Sequence, residues 1–168
     1  MNRLTTEEFK ASEKNKIIVV LDNIRSAMNV GSIFRSADAF ALEKILLSGI
    51  TPHPPHKEIS KTAIGATESV DWEYFQNINQ ELLRLKEEGY RIIAVEQTND
   101  AIPLEKIGAK SEERIVLILG NEVNGVSEEL IEISDQCVEV SQFGTKHSLN
   151  VSVCAGIVFW AFINNNLH

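Results

Sequence analysis

Residues 114–130, RIVLILGNEVNGVSEEL, form the stretch that decides the fold. Five apolar residues follow Arg114, and a continuous apolar run of this kind is typical of a strand buried on both faces of a sheet. A turn with two glycines comes next, and Ser127 followed by two glutamates indicates the start of a helix. The stretch therefore predicts a unit of a parallel α/β sheet, in which ligands bind beyond the carboxyl ends of the strands.

The same alternation extends outward from this stretch in both directions. Apolar runs predict strands at residues 16–21, 43–47, 90–95, 114–119 and 137–140. Apolar residues at helical spacing predict helices at residues 29–40, 57–66, 77–88, from 128 onward, and 148–163. Buried strands that alternate with helices predict an α/β fold, with a mostly parallel sheet covered by helices on both faces. Ligand-binding loops are expected after four of the strands, which end at Leu21, Val95, Leu119 and Val140.

Length and composition predict a single domain over residues 1–168. Cys137 and Cys154 are far apart and lack metal-ligand spacing, so both thiols are expected to be reduced. The N-terminus has no apolar signal core, and the apolar stretch 149–163 is too short to span a bilayer comfortably. We therefore expect a soluble cytoplasmic protein that has no membrane partner.

The formal net charge of −8 argues against a dedicated, non-specific nucleic-acid binder, because such proteins carry a basic surface. An enzyme with one local basic patch is still compatible with this charge. The distribution of the charges therefore matters more than their sum.

The turn after Leu119 is the first candidate site. Neither GxGxxG nor GxxxxGK[ST] occurs in the chain, so the usual dinucleotide and P-loop sites are not predicted. Glu122 lies at the mouth of the turn, where its carboxylate would repel a phosphate. The residues alone are compatible with two interpretations of this segment, a plain turn and a ligand site.

Two further segments hold polar residues that could serve a site. Arg35 follows Gly31 by one helical turn. It is a solvated charge, an ion-pair partner or, if it points into a cleft, a phosphate ligand. In FGTKHSLNVSV, residues 143–153, Ser148 is either a helix cap or part of a polar site with Asn150. No Gly-x-Ser-x-Gly elbow is present, which disfavours a serine hydrolase.

The histidines of HPPH, His53 and His56, have no further ligand at metal spacing nearby. A solvated loop is the favoured interpretation of this segment, and no metal site is expected.

Three segments in a fixed order carry a more specific signal than any one of them. They are NVGSIFRSADAF at 29–40, preceded by Asn23, then LILGNEVNGVSEEL at 117–130, and SLNVSVCAGI at 148–157. Together they resemble the three motifs of the SpoU (TrmH-type) RNA ribose methyltransferases of the SPOUT class. The likeness extends over about residues 17–163.

This resemblance implies a SPOUT fold, which is a parallel α/β sheet whose C-terminal part forms a trefoil knot, a rare exception to unknotted chains. It also implies S-adenosyl-L-methionine as the cofactor, held by loops at Val95, at residues 120–125 and at residues 140–149. The residues that it places at the cofactor are Val95, Gly120, Asn121, Gly125, Val140 and Leu149.

The reaction implied by the resemblance is methyl transfer to a ribose 2′-hydroxyl of RNA, with tRNA favoured and rRNA possible. The family's motif residues fall on Asn29, Arg35, Glu122, Ser148 and Asn150, which are the expected catalytic residues. A guanidinium stays protonated, so Arg35 is expected to clamp a phosphate and stabilise charge, while base assistance from it or from water stays open. The two asparagines would orient Arg35 and the ribose, with Glu122 and Ser148 bonded into the same polar network.

Family members are homodimers in which the arginine acts across the interface. The last helix is apolar nearly all round, which agrees with a dimer through this helix, and a change at Phe159 or Trp160 is expected to separate the subunits and abolish activity. Beside the family pattern, the chain is expected to have no separate RNA-binding domain. RNA is therefore expected to meet a local basic patch that consists of Arg25, Lys57, Lys61, Lys146 and His147.

The chain departs from the family pattern before the third motif. Many members carry Ile-Pro-Met there, whereas this chain has Val140-Ser141-Gln142-Phe143, and the effect of this change on cofactor contacts is open. Two alternatives to the enzyme are a catalytically idle RNA-binding relative and a small-molecule enzyme on a generic α/β sheet. The sequence does not identify which RNA or which nucleotide is methylated.

Overall fold

A seven-stranded sheet in which every strand pairing is parallel organises the protein. The computed structural model describes residues 4–107, 113–146 and 148–166. The strand order is β3-β2-β1-β6-β4-β7-β5. The strands are β1 (Asn15–Asp22), β2 (Leu42–Ser48), β3 (Trp72–Phe75), β4 (Arg91–Val95), β5 (Ile102–Pro103), β6 (Ile115–Leu119) and β7 (Gln136–Glu139).

Helices cover both faces of this sheet, as predicted. They are α1 (Thr6–Ala11), α2 (Ala27–Ala39), α3 (Lys57–Ala63), α4 (Ala66–Ser69), α5 (Asn79–Glu87), α6 (Glu128–Ile133) and α7 (Val151–Asn166), and a 3₁₀ turn spans Leu104–Lys106. Alternate residues of β1 point into two separate apolar clusters. Val19 packs with residues of α2, α3 and α7, whereas Val20 packs with residues of α5 and α6.

The central strands β1, β6 and β4 match their predictions, but the two edge strands β3 and β5 were not predicted. β3 is only four residues long, none of them buried, and β5 has two residues that end at Pro103. Short, half-exposed edge strands lack the continuous apolar run that marks a buried strand. The trefoil knot stays a prediction from the resemblance.

Helix boundaries differ from the predictions where a capping residue decides them. Helix α2 begins at Ala27, because the Ser26 side chain accepts a hydrogen bond from the N–H of Asn29 at 3.2 Å. Asn29 is therefore not the N-cap of this helix. Helix α3 ends at Ala63, because Ile64 and Gly65 both have positive φ angles.

Helix α2 packs closely against α3 at Gly31. A Cβ at Gly31 would lie 2.1 Å from Thr62 Oγ1 and 2.3 Å from the Ile59 carbonyl oxygen, so a larger residue has no room. This contact packs α3 against α2, and it thereby sets the positions of Lys57 and Lys61 on the surface.

Helix α7 presents apolar residues on two faces. Ala155, Phe159 and Phe162 are fully buried against the sheet, whereas Trp160 is 58% exposed. Phe159 is therefore a core residue, and the expectation that its change would act through subunit separation is wrong. Only Trp160 of the predicted pair lies on the outer face. None of the helices within the described residues is long and apolar enough to cross a membrane.

Replacing Phe159 by alanine is expected to lower the free energy of unfolding by about 3–5 kcal/mol, because a buried aromatic ring is lost and a cavity remains. Urea unfolding followed by circular dichroism measures this change. Phe143→Ala is the matched control: the ring of Phe143 is 97% exposed, so its removal is expected to change stability by less than about 0.5 kcal/mol. Equal effects of the two substitutions would contradict the core position of Phe159.

Candidate active site

A cleft of about 280 Å³ opens at the carboxyl ends of β4, β6 and β7. Its walls come from the loops after these strands and from the approach to α7. Three of the four predicted ligand loops therefore meet here. The residues expected at the cofactor all line it, and they are Val95, Gly120, Asn121, Gly125, Val140 and Leu149. Glu122 and Ser148 line the same cleft.

The loop after Leu119 folds back on itself because two glycines permit it. Asn121 and Gly125 exchange two backbone hydrogen bonds of 2.9 Å, and Gly125 has a φ of +71°. A Cβ at Gly120 would lie 2.1 Å from the backbone nitrogen of Val126. The loop is thus compact, and its main chain forms one wall of the cleft.

Side-chain hydrogen bonds attach this loop to the end of β1. Asn121 Nδ2 donates to the Asn23 carbonyl oxygen at 2.7 Å, and Asn121 Oδ1 accepts from two N–H groups of the loop. The buried Asp22 carboxylate accepts from the Ser127 N–H at 2.9 Å. Ser127 is the N-cap residue directly before α6, as predicted, but its side chain makes no cap hydrogen bond. The loop after Leu21 therefore braces the cleft without lining it.

Glu96 is a cleft residue that was not predicted. It directly follows β4, where one of its carboxylate oxygens accepts from the Val126 N–H at 2.8 Å and the other from the Gln97 N–H at 3.0 Å. The Gly125 loop packs against it, since a Cβ at Gly125 would lie 2.0 Å from Glu96 Oε2. The only sequence signal for this role was its position directly after a buried strand.

Acidic side chains dominate the charge of the cleft. Glu96, Glu122 and Glu139 line it, and neither lysine nor arginine is present among the described lining residues. Carboxylates that have no cation paired with them raise the affinity of a cleft for cations and lower its affinity for phosphates. The cleft thus suits a positively charged ligand, which agrees with the sequence-based objection to a phosphate cradle.

Glu122 organises a polar network that joins three distant parts of the chain. Its carboxylate accepts hydrogen bonds from the N–H of Arg25 at 3.0 Å and of Ser26 at 3.1 Å, and from Asn29 Nδ2 at 3.4 Å. Asn150 Nδ2 then donates to Asn29 Oδ1 at 3.1 Å. The structure brings together Glu122, Asn29 and Asn150, as the expected network requires.

Asn150 also caps α7, a role for which Ser148 was one candidate. Its Oδ1 accepts from the Ser152 N–H at 2.9 Å and from the Val153 N–H at 3.3 Å, which caps the start of α7. Of the two interpretations of Ser148, the helix cap is excluded, because α7 begins only at Val151. Ser148 lies on the cleft wall instead.

Arg35 lies outside this network. It is exposed on α2, and none of the described residues accepts a hydrogen bond from it or pairs with its charge. The cations expected at RNA are exposed as well, and they are Arg25, Lys57, Lys61 and Lys146. His147 lies outside the described residues. Of the two histidines in the HPPH segment, His56 caps α3: its Nδ1 accepts a hydrogen bond from the Glu58 N–H at 3.2 Å.

The surroundings of Glu122 lower the pKa of its carboxyl group. Partial burial raises this pKa, but hydrogen bonds from the N–H groups of Arg25 and Ser26 and from Asn29 outweigh the burial. At pH values above the pKa of a glutamate in the unfolded chain, the ionised carboxylate therefore stabilises the fold. This stabilisation is lost as the pH falls through the lowered pKa of the folded protein.

Glu122→Gln is expected to reduce the free energy of unfolding at neutral pH by about 1–3 kcal/mol, since charge-assisted hydrogen bonds are lost. The difference between the two proteins should shrink as the pH falls below the ordinary glutamate range. Urea unfolding at several pH values measures it, with the exposed Glu87→Gln as control. A difference that does not depend on pH would contradict the proposed ionisation of Glu122.

Comparison with known proteins agrees with this geometry. The model of the SpoU rRNA Methylase family matches residues 16–160. The chain is 33% identical over 154 residues to a Borreliella burgdorferi protein described as an uncharacterized tRNA/rRNA methyltransferase, covering 92% of this chain and 66% of that protein. It is 29% identical over 159 residues to the tRNA (guanosine(18)-2′-O)-methyltransferase of Aquifex aeolicus, covering 91% of this chain and 71% of that enzyme.

A solved structure shows the same fold. The AdoMet-bound rRNA methyltransferase from Sinorhizobium meliloti superposes with a TM-score of 0.83 at 25% identity, covering 93% of this chain and 59% of that one. The chain spans roughly half to seven tenths of the length of the curated relatives it matches, between 54% and 71% for three of them. Because the family model matches most of the chain, the chain belongs to the SpoU rRNA methylase family.

Proposed function

We propose that the chain transfers the methyl group of S-adenosyl-L-methionine to a ribose 2′-hydroxyl of RNA, with tRNA the favoured substrate and rRNA the other candidate. One observation carries the proposal: a cleft at the strand ends is lined by carboxylates, with no lysine or arginine among its described residues. The cofactor carries a positive sulfonium, which such a cleft favours. The methyltransferase named in Aquifex aeolicus supports the reaction class.

The residues of the cleft fit this cofactor. Val95, Val140 and Leu149 would provide apolar walls for the adenine, and the glycines at 120 and 125 would leave room for the cofactor beside the main chain. When bound, the cofactor supplies a methyl group on a sulfonium, which is a strong electrophile. The protein therefore has mainly to position the ribose and to assist removal of its 2′-hydroxyl proton.

The polar network beside the cleft is proposed to do this positioning. Asn29 and Asn150 are fixed to each other and to Glu122, so their amides are held ready to orient the ribose. Arg35 clamps the phosphate next to the target, since its planar donors match phosphate oxygens. Its guanidinium stays protonated, so the ribose proton passes to water. Ser148 completes the polar wall.

The position of Arg35 supports a homodimer through α7. Arg35 has no partner among the described residues of its own chain and is free to reach a second subunit. The outer face of α7 carries an exposed apolar stripe at helical spacing, which consists of Val153, Ile157 and Trp160. In the family that the chain resembles the arginine acts across the dimer interface, and the proposed dimer assigns Arg35 the same role at the cleft of the partner subunit.

Trp160→Glu is expected to convert the dimer into monomers and to reduce methyl transfer at least 100-fold, because a charge on the stripe opposes its burial and removes the partner's arginine. Light scattering after gel filtration measures the oligomeric state. Leu83→Glu is the matched control, since Leu83 is an exposed leucine on α5, away from α7. A fully active monomer would contradict both the interface and the shared site.

The proposed reaction is tested by incubating the chain with methyl-labelled S-adenosyl-L-methionine and total cellular RNA. Label in the RNA is expected, and it should fall steeply with rising salt, because Arg25, Lys57, Lys61 and Lys146 bind phosphates electrostatically. A titration with the cofactor alone separates the enzyme from an idle relative. Failure to bind the cofactor, or binding without any transfer to RNA, would refute the proposed reaction.

A further inference from the structure

Three aromatic rings cluster at the exposed edge of the sheet, outside the cleft. Trp72 and Tyr74 lie two residues apart on the edge strand β3, so their side chains point to the same face. The His53 ring packs on both of them, with its centroid 4.7 Å from that of Tyr74 and 6.1 Å from that of Trp72. We call His53, Trp72 and Tyr74 the aromatic platform.

Two rings of the platform, those of His53 and Tyr74, are exposed, whereas Trp72 is half-buried and packs on the core. The Tyr74 hydroxyl donates to the Gly49 carbonyl oxygen at 2.8 Å, yet the residue is 38% exposed. His53 is exposed, with Nδ1 2.9 Å from the Pro54 carbonyl oxygen. Ring surface of His53 and Tyr74 is therefore open to a ligand, and such surface suits stacking.

Unpaired cations lie beside the platform. The loop that carries His53 leads directly into α3, where Lys57 and Lys61 are exposed one turn apart. Neither lysine has an ion-pair partner among the residues that the structure describes. Stacking rings combined with free cations are what single-stranded nucleic acid binds, because phosphates meet the charges and bases meet the rings.

The platform is too far from the cleft to hold the target nucleotide itself. β3 is separated from β6 by three strand spacings, about 14 Å in all. Tyr74 pairs with Leu47 near the carboxyl end of β2, so the platform faces the same end of the sheet as the cleft. An RNA that fills the cleft can therefore present another of its nucleotides to the rings.

We propose that the aromatic platform stacks an unpaired base of the RNA substrate, flanked by phosphates on Lys57 and Lys61, so that the substrate is RNA with exposed loop nucleotides. This proposal rests on the proposed function, because it assigns a second contact to the same substrate. A duplex cannot use the platform, since its bases are stacked within the helix.

The experiment measures binding of the full chain, without turnover, to two probes by fluorescence anisotropy. The probes are a labelled 12-nucleotide single-stranded RNA of mixed sequence and the same RNA annealed to its complement. His53→Ala and Tyr74→Ala are each expected to weaken single-strand binding about 5- to 100-fold, with the salt slope kept, because one stacked base is lost. Their effect on duplex binding should stay below twofold.

Three controls make the result specific to the rings. Tyr74→Phe keeps the ring and should bind within twofold of the original chain. Glu73→Ala changes an exposed residue on the other face of β3 and should not weaken binding. The Lys57→Ala and Lys61→Ala double variant should weaken both probes and reduce the salt slope, because phosphate contacts are lost from both.

Unchanged single-strand affinity in His53→Ala and Tyr74→Ala would overturn the proposal, as would equal losses on the duplex or no binding of either probe. His53 lies on an exposed loop, so its variant remains informative even if Tyr74→Ala fails to fold. The proposed function fails separately, through absence of methyl transfer to RNA, because the anisotropy measurement needs neither the cofactor nor turnover.

Discussion

Arg35→Ala is expected to reduce methyl transfer to RNA by a factor of about 10²–10³, the loss that follows removal of one preorganised charge contact in an active site. Arg35 does not touch the cleft of its own chain, so the affinity for S-adenosyl-L-methionine should stay within twofold. Single-turnover transfer from the labelled cofactor measures the first quantity, and a calorimetric titration measures the second.

One further variant separates charge from geometry at Arg35, and a second variant elsewhere serves as the control. Arg35→Lys keeps the charge but loses the planar fork of donors, so it should recover only a small part of the rate. Arg84→Ala is the control, because Arg84 is engaged with Glu81 and Glu88 on α5 and has no place in the proposed site. Near-normal turnover of Arg35→Ala on its true RNA would remove Arg35 from the mechanism.

Gly120→Ala is expected to abolish cofactor binding, with at least a 100-fold loss of affinity. The added Cβ would lie 2.1 Å from the backbone nitrogen of Val126 and 2.2 Å from the carbonyl carbon of Gly125. These are backbone atoms, which cannot turn aside as a side chain can, so the loop must open and one wall of the cleft is lost.

A matched glycine in the neighbouring loop gives the control for this substitution. A Cβ at Gly144 would meet nothing within 4 Å, and Gly144→Ala should leave cofactor affinity within twofold. Calorimetry on both variants, with circular dichroism to confirm folding, measures the difference. Cofactor affinity of Gly120→Ala close to that of the original chain would show that the loop does not form the cofactor wall.

The central sheet could be predicted because its strands are apolar throughout. β1 and β6 are buried on both faces, so their sequences are continuous apolar runs with few other interpretations. The edge strand β3 was missed because Glu73 and Tyr74 face solvent and only four residues take part. Strand order itself follows from tertiary packing, which local pattern does not encode.

The candidate site was predicted mainly through the resemblance to a family. Spacing alone could not join Glu122 to the N–H groups of Arg25 and Ser26, because these groups are 97 and 96 residues away along the chain. Glu96 was missed because it belongs to none of the three motifs that carried the resemblance. Sequence likewise could not separate the buried Phe159 from the exposed Trp160, since α7 is apolar on nearly all sides.

The measurement that tests the proposed reaction most directly is a map of ribose methylation in RNA from cells with and without this gene, backed by transfer with the purified chain. We expect at least one 2′-O-methylated nucleotide that depends on the gene, that the purified chain restores with S-adenosyl-L-methionine, and that Arg35→Ala fails to restore. Identical maps from the two cells together with no transfer in vitro, or a methyl group found on a base, would contradict the proposed ribose methyltransferase.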